Sequence, residues 1–197
     1  MIDERRLPLL LSALERSWRV VGAPIADCLA PGLPPDEIDS LSAAVGLVLP
    51  EGLRIWWGWH NGIRPDATDP ERASTGFGFD FISLQEALDN RAELLRDASE
   101  PLDREGQMYW RSTWLPFVGR AGGTLFVDTA TYGSSPVRTL TWEWEDLLKV
   151  RAWSITEVVE TWTYVLAREW VYREPGAEGG WTQSDNLPLH LTLSGLL

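Results

Sequence analysis

The sequence is poor in the residues that build disulfides, metal sites and nucleophilic active sites. Cys28 is the only cysteine, and His60 and His190 are the only two histidines among 197 residues. A single cysteine excludes an intramolecular disulfide and gives no support for secretion. Two histidines and one cysteine match no usual zinc-ligand spacing. We therefore expect neither a stabilising disulfide nor a metal or other cofactor.

Several catalytic and targeting patterns are also missing. The chain has no Gly-x-Ser-x-Gly nucleophile motif, and residues 119–124 lack the lysine of a phosphate-binding loop. No stretch reaches the roughly 18 apolar residues of a membrane span. The short apolar run near the start follows Asp3 and Glu4 and resembles an amphipathic helix more than a signal peptide. We expect a cytoplasmic protein that is neither membrane-bound nor an enzyme.

Basic residues are scarce relative to acidic ones. Lys and Arg total 17 against 29 Asp and Glu, which gives a formal net charge of −12, and Lys149 is the only lysine. Binding to nucleic-acid phosphates needs the opposite charge, so we do not expect a nucleic-acid partner. An acidic surface suits a basic protein partner, and it also simply keeps a protein in solution. The composition leaves both interpretations open.

Tryptophan, in contrast, is abundant, with twelve residues in the chain. Its large apolar surface is costly to leave in water, so tryptophan is mostly buried or used at interfaces. The hydrophobic fraction of 44% is ordinary for a globular protein. The composition thus predicts a sizeable core, with some tryptophans as candidate contact residues.

Apolar residues at helical spacing predict a series of amphipathic helices. Prolines suit the first helical position, and Ser-x-x-Glu segments form capping boxes. The predicted helices comprise a stripe from Leu7 to Trp18 ended by Gly22, a helix from Pro34-Pro35 stopped by Gly46, one beginning at Pro50, one from Ser83 to Ala98, and one from Ser154 to Trp170.

Alternating apolar residues and turn signals predict strands between these helices. Phe77, Phe79 and Phe81 alternate with polar or small residues, as in a half-buried strand. Three further strands are predicted at 115–118, 124–128 and 136–144. Their connections are too short for parallel crossovers, so the sheet is antiparallel. We predict a single α+β domain over residues 1–172, with an antiparallel sheet packed by about four to five helices. Residues 173–197 form a tail that packs back on it or binds a neighbour.

One acidic and aromatic segment is the best candidate for a partner-binding site. Residues 142–146 contain two tryptophans, at 142 and 144, and three carboxylates, at 143, 145 and 146. Such clusters serve in acid–base catalysis, but more often they form a solvated strand end. Aromatic anchors beside charge are also typical of interface hot spots. On a strand both tryptophans share one face, which is either core or contact surface. The predicted partner-binding residues are Trp142, Trp144, Glu143, Glu145, Asp146 and Asp128.

His60 falls at the end of a predicted helix, where a cation suits the helix dipole and the side chain can reach a free carbonyl oxygen. We expect it to have a structural or capping role. Cys28 lies between two predicted helices with no histidine next to it in the sequence, so we expect an inert thiol. We identify no catalytic residue.

The chain resembles the SUKH superfamily over about residues 33–170. The clearest element is residues 49–62, which run Leu-Pro, then an aromatic and aliphatic helix, then Asn-Gly. The further elements follow in the family's order. They are residues 78–87, the Trp-Leu-Pro-Phe at 114–117, the Gly-Gly-Thr-Leu-Phe-Val-Asp at 122–128, and residues 152–159.

This resemblance implies a non-enzymatic α+β domain. Members of the superfamily are bacterial immunity proteins that bind and neutralise a cognate toxin, often a nuclease or a nucleic-acid deaminase, or fungal regulators of cell-wall synthesis. We therefore expect a protein partner, in the first case a basic toxin domain, and in the alternative a regulatory or scaffold role without a toxin. The shared positions are mostly core and turn residues, so they imply the fold more strongly than any contact residue.

Overall fold

The computed structural model describes residues 4–67, 74–99, 110–120, 123–130, 136–141, 150–173, 180–192 and 196. The helices are α1 (Leu7–Val20), α2 (Ile25–Cys28), α3 (Pro35–Ala44), α4 (Glu51–Trp59), α5 (Leu84–Ser99), α6 (Ile155–Ala167) and α7 (Leu189–Thr192), with a short 3-10 turn, Glu4–Arg6, before α1. The strands are β1 (Leu29–Pro31), β2 (His60–Ile63), β3 (Asp80–Phe81), β4 (Trp114–Arg120), β5 (Gly123–Asp128), β6 (Val137–Thr141), β7 (Val150–Ala152), β8 (Val171–Arg173) and β9 (Trp181–Gln183).

The predicted α+β domain with an antiparallel sheet is confirmed. The main sheet has the order β3-β4-β5-β6-β7, and every neighbouring pair is antiparallel. Two small antiparallel sheets, β1–β2 and β8–β9, accompany it. Five of the described helices have at least nine residues, which agrees with the expected number of packing helices.

The main hydrophobic core lies between one face of the sheet and the helices α1, α4 and α6. Leu125 and Val127 of β5 enter it from the sheet, and Trp56 and Trp162 enter it from the helices. The other sheet face carries a smaller cluster of Trp110, Trp114 and Phe126, against which the C-terminal half of α5 packs. Period-two alternation along β5 therefore divides its side chains between two apolar layers.

The predicted capping box at Ser83 forms, and the one at Ser154 forms with its carboxylate bond shifted by one residue to Trp153. The Glu86 backbone N–H donates to Ser83 Oγ at 3.1 Å, and the Ser83 N–H donates to the Glu86 carboxylate at 2.7 Å, at the start of α5. At the start of α6, the Glu157 N–H donates to Ser154 Oγ at 3.2 Å, while the Glu157 carboxylate accepts from the Trp153 N–H. These bonds satisfy backbone donors that a helix leaves unpaired at its first turn.

The Asn-Gly pair at 61–62 does more than turn the chain. Strand β2 begins at His60, directly after α4, and contains both residues. The Asn61 side-chain oxygen accepts the Leu84 backbone N–H at 2.8 Å and so caps α5 from a distance. Gly62 has φ +73°, and an added Cβ there would lie 2.5 Å from the Ser83 nitrogen. The pair thus joins the end of α4 to the start of α5.

Three predicted boundaries are wrong in detail. Pro50 is the N-cap of α4 rather than its first helical residue. The strand predicted through Phe77, Phe79 and Phe81 reduces to Asp80–Phe81, although all three phenylalanines are buried. Positive φ angles at the two glycines before and after Phe77 bend the backbone there and prevent a continuous strand. Helix α6 ends at Ala167 rather than near Trp170, because the chain turns to begin β8.

Segments from the N-terminal and C-terminal parts of the chain both pack on the loop 74–79. From α1, the Trp18 indole N–H donates to the Thr75 carbonyl oxygen at 3.0 Å. From β9, the Trp181 ring covers Gly76, so that an added Cβ would lie 2.8 Å from the ring. Trp162 of α6 stacks on Phe77 with ring centroids 4.8 Å apart. These contacts place segments from both termini on one buried loop.

Candidate protein-binding surface

Most of the predicted partner-binding segment lies outside the described residues, namely Trp142, Glu143, Trp144, Glu145 and Asp146. The structure therefore leaves their role as a prediction. The chain enters this segment from Thr141 at the end of β6, which pairs with Gly123 at the start of β5.

Asp128, the remaining predicted residue, lies at the opposite end of β5 from that exit point. The five residue steps from Gly123 to Asp128 correspond to about 17 Å along a strand. The Asp128 carboxylate accepts the Trp114 indole N–H at 3.2 Å and the Ala130 backbone N–H at 3.1 Å. These two bonds fix the turn after β5, so Asp128 has a structural use whether or not it also meets a partner.

A row of exposed carboxylates outside the predicted partner-binding segment lies along one side of α5. Glu86, Asp89, Glu93 and Asp97 follow one another at helical spacings of three and four residues, and all four are exposed. The opposite side of α5 is buried, and Arg91 on that side donates through Nε to the Ser112 carbonyl oxygen at 3.0 Å. Burial lowers the pKa of Arg91 from its usual value, yet a guanidinium stays charged at neutral pH.

Helix α3 contacts α5 and carries exposed carboxylates of its own. Asp36, Glu37 and Asp39 are exposed on α3. The Asp39 carboxylate pairs with Arg54 of α4, whose guanidinium also lies 3.8 Å from the Glu51 carboxylate. We call the exposed carboxylates of α3 and α5 the acidic face. It comprises Asp36, Glu37, Asp39, Glu86, Asp89, Glu93 and Asp97.

His60 lies between three elements in a half-buried position. Its Nδ1 is 2.7 Å from the Ala30 carbonyl oxygen of β1, and its Nε2 is 3.5 Å from the Glu15 carboxylate of α1. Burial opposes ionisation of Glu15, but Arg19 and His60 outweigh it and lower the pKa of Glu15 below 4.5. His60 thus has structural contacts: its backbone N–H caps α4 by donating to the Trp56 carbonyl oxygen, and its side chain contacts β1 and α1.

The described tryptophans serve mainly the core. Six of them are buried, at 18, 56, 57, 110, 114 and 162. Trp153 is the exposed exception in the part of the chain that the structure covers, with 60% of its surface accessible. The high tryptophan content therefore reflects core packing, and it supplies few candidate contact residues within the described ranges.

The described residues offer no cluster of metal ligands and no membrane-spanning helix. No three His, Cys, Asp or Glu side chains among them are grouped so that they could hold a metal ion. No described helix has the length and apolarity needed to cross a membrane. Cys28, the single cysteine, is buried.

Comparison with known families gives one match. The sequence pattern that defines the SMI1 / KNR4 family (SUKH-1) matches residues 32–161, about two thirds of the chain. No curated protein matches the sequence. The matched segment contains α3, α4, α5 and the whole main sheet, including the acidic face and the predicted segment at 142–146.

Proposed function

The chain belongs to the SMI1 / KNR4 family (SUKH-1), and we propose that it is an intracellular immunity protein that neutralises a basic toxin domain by binding it. Membership supports an immunity or regulator-like role and protein–protein interaction in general. The toxin partner and the absence of catalysis belong to the proposal. A nuclease or a nucleic-acid deaminase is the toxin class that fits best, since both bind phosphates through a basic cleft.

The observation that carries this proposal is the acidic face. Helix stability does not account for the charge at the C-terminal end of this face, because acidic residues are unfavourable near the C-terminus of a helix and Asp97 lies in the last turn of α5. Like charges four residues apart, such as Glu93 and Asp97, also destabilise a helix slightly. Exposed carboxylates outside the favourable first turn, such as Glu93 and Asp97, are well suited to a basic partner.

The mechanism that follows is electrostatic attraction followed by occlusion. A net charge of −12 speeds the encounter with a basic cleft, and the carboxylates of the acidic face then replace the phosphates of the nucleic acid. No bond is made or broken. The predicted residues Trp142 and Trp144 would add apolar contact if they reach the same partner.

Co-expression with the product of the gene adjacent to the one for this chain, tested first for toxicity on its own, tests the proposal. We expect the wild-type chain to restore growth of cells that produce the toxin. The double variant Glu93→Lys/Asp97→Lys should lose this protection, because it reverses two exposed charges on the acidic face.

The matched control is Asp27→Lys/Asp185→Lys, which reverses two exposed charges outside α3 and α5. It should protect as well as wild type does. Absence of protection by the wild-type chain, together with absence of binding, would contradict the toxin proposal and leave the regulatory alternative. Equal protection by the double variant and the control would show that the partner binds another surface.

A further inference from the structure

A groove lies between the C-terminal ends of α1 and α6, on a part of the molecule separate from the acidic face. Its volume is about 460 Å³, and Val20, Val21, Leu166 and Ala167 form its apolar walls. Val20 is 85% exposed, the largest value among the exposed large apolar side chains of the described residues. The groove therefore leaves apolar surface open to solvent where two helices meet.

Both helices end at this groove. Arg6, just before α1, forms an ion pair with Glu160 in the middle of α6 at 3.0 Å, whereas the last residues of the two helices meet at the groove. Helices α1 and α6 thus run in the same direction. Each C-terminus carries a partial negative charge from its free carbonyl groups, so the groove favours a positively charged group.

Glu169 adds a full negative charge at the same place. It lines the groove and is the one non-glycine residue with positive φ, +55°, in the described ranges. The Trp170 N–H donates to the Val165 carbonyl oxygen and the Glu169 N–H to that of Leu166, which is the Schellman pattern of helix termination. Glycine is strongly preferred at this position, because a Cβ crowds the backbone. The chain instead places a carboxylate there.

We propose that this groove receives a lysine or arginine side chain of a protein partner. The aliphatic stem would pack against Val20 and Leu166, and the charged head would bind the Glu169 carboxylate near the two helix ends. The inference rests on the proposed function, which supplies a basic partner, and adds a second contact outside the acidic face. Arg16 also lines the groove, but it is exposed on α1 and is not part of the anchor.

A titration of the full-length chain, observed through backbone amide NMR shifts, tests the groove without any toxin. The probes are N-acetyl-lysine methylamide, its uncharged analogue N-acetyl-norleucine methylamide, and N-acetyl-glutamate methylamide. We expect saturable shifts at residues 16–21 and 166–170 with the lysine probe. Its affinity should exceed that of the norleucine probe by about threefold, the effect of a partly exposed ion pair. The glutamate probe should bind most weakly.

Two substitutions of Glu169 separate binding from folding. Glu169→Gln keeps the shape of the side chain and should remove the preference for lysine over norleucine. Glu169→Gly should raise the melting temperature, because glycine suits the positive φ, and yet remove the same preference. A residue with only a structural role would change stability and leave the lysine preference as it is.

Arg16→Ala is the matched control on the opposite wall, and it should keep or strengthen binding of the lysine probe. Tighter binding of the glutamate probe, lost in Arg16→Ala, would overturn the proposal in favour of an acidic occupant. An unchanged lysine preference in Glu169→Gln, or an absence of saturable shifts at the groove, would also overturn it. These outcomes are independent of toxin protection, so failure of the groove and failure of the proposed function can be told apart.

Discussion

The segment that matches the family and the segments that flank it differ in sequence pattern but not in burial. Residues 32–161 carry the capping boxes and turns through which the family is recognised. Trp18 before this segment and Trp162 just after it are as fully buried as Trp56 within it. Leu7, Leu11 and Leu14 of α1 are also fully buried. The boundary of a sequence pattern is therefore not the boundary of a core.

The two kinds of segment contribute to the fold in different ways. Within the family segment, polar side chains such as Ser83 and Asn61 fix where helices begin. The flanks contribute mainly apolar surface, supplemented by single hydrogen bonds such as that from the Trp162 indole to the Leu196 carbonyl oxygen at 2.7 Å. The family segment thus specifies the course of the chain, and the flanks complete its burial.

The largest expected effect compares one tryptophan from each region. Trp18→Ala and Trp56→Ala should each lower the free energy of unfolding by about 3–5 kcal/mol, the usual result of truncating a large buried aromatic residue. Chemical denaturation followed by circular dichroism measures both. If Trp18→Ala cost less than half as much as Trp56→Ala, α1 would be an accessory to the fold rather than part of its core.

A smaller effect tests the contact between β9 and the loop 74–79. Gly76→Ala and Gly78→Ala both place a Cβ at positive φ, which costs on the order of 1–2 kcal/mol. Only at Gly76 does the new Cβ also meet the Trp181 ring, at 2.8 Å, whereas nothing lies within 4 Å of it at Gly78. Gly76→Ala should therefore be the more destabilising in thermal unfolding. The difference in stability between the two variants should shrink in a Trp181→Ala background. If the difference stayed the same there, contact with the Trp181 ring would not be its cause.

The smallest effect concerns a carboxylate that joins the two regions. Burial, then repulsion by Glu51, raises the pKa of Glu4 above 4.5, although the Gly52 backbone N–H opposes this change. A raised folded-state pKa favours folding at low pH, and this contribution is lost as the pH rises through that pKa. Glu4→Gln should therefore stabilise the protein at pH 7, by less than about 1 kcal/mol because Glu4 is partly exposed. The effect should vanish near pH 3.5. An equal stabilisation by Glu4→Gln at both pH values would contradict the raised pKa of Glu4.

Much of the fold follows from local sequence signals. The amphipathic stripe of α1, the capping box at Ser83, the serine cap at Ser154 and the antiparallel order of β4, β5 and β6 are all confirmed. These features depend on neighbouring residues, so the sequence contains their full cause.

Features that depend on distant contacts could not be predicted in the same way. Strands β1, β2, β8 and β9 are three or four residues long and gain their order from pairing rather than from periodicity. The role of Asn61 needs α5 beside it, which the spacing alone does not show. The helical spacing of the α5 carboxylates is present in the sequence, but their exposure depends on which side of α5 packs against the sheet, and that is set by distant contacts.

The central claim is that the chain acts by electrostatically guided binding to a basic protein. Stopped-flow measurement of the rate of association with the purified toxin domain, over a range of salt concentrations, tests it most directly. We predict a rate constant that falls by at least about tenfold as the ionic strength rises from 10 mM to 200 mM, because salt screens the attraction between opposite charges. A salt-independent rate, or a failure to form a complex at any salt concentration, would contradict the account.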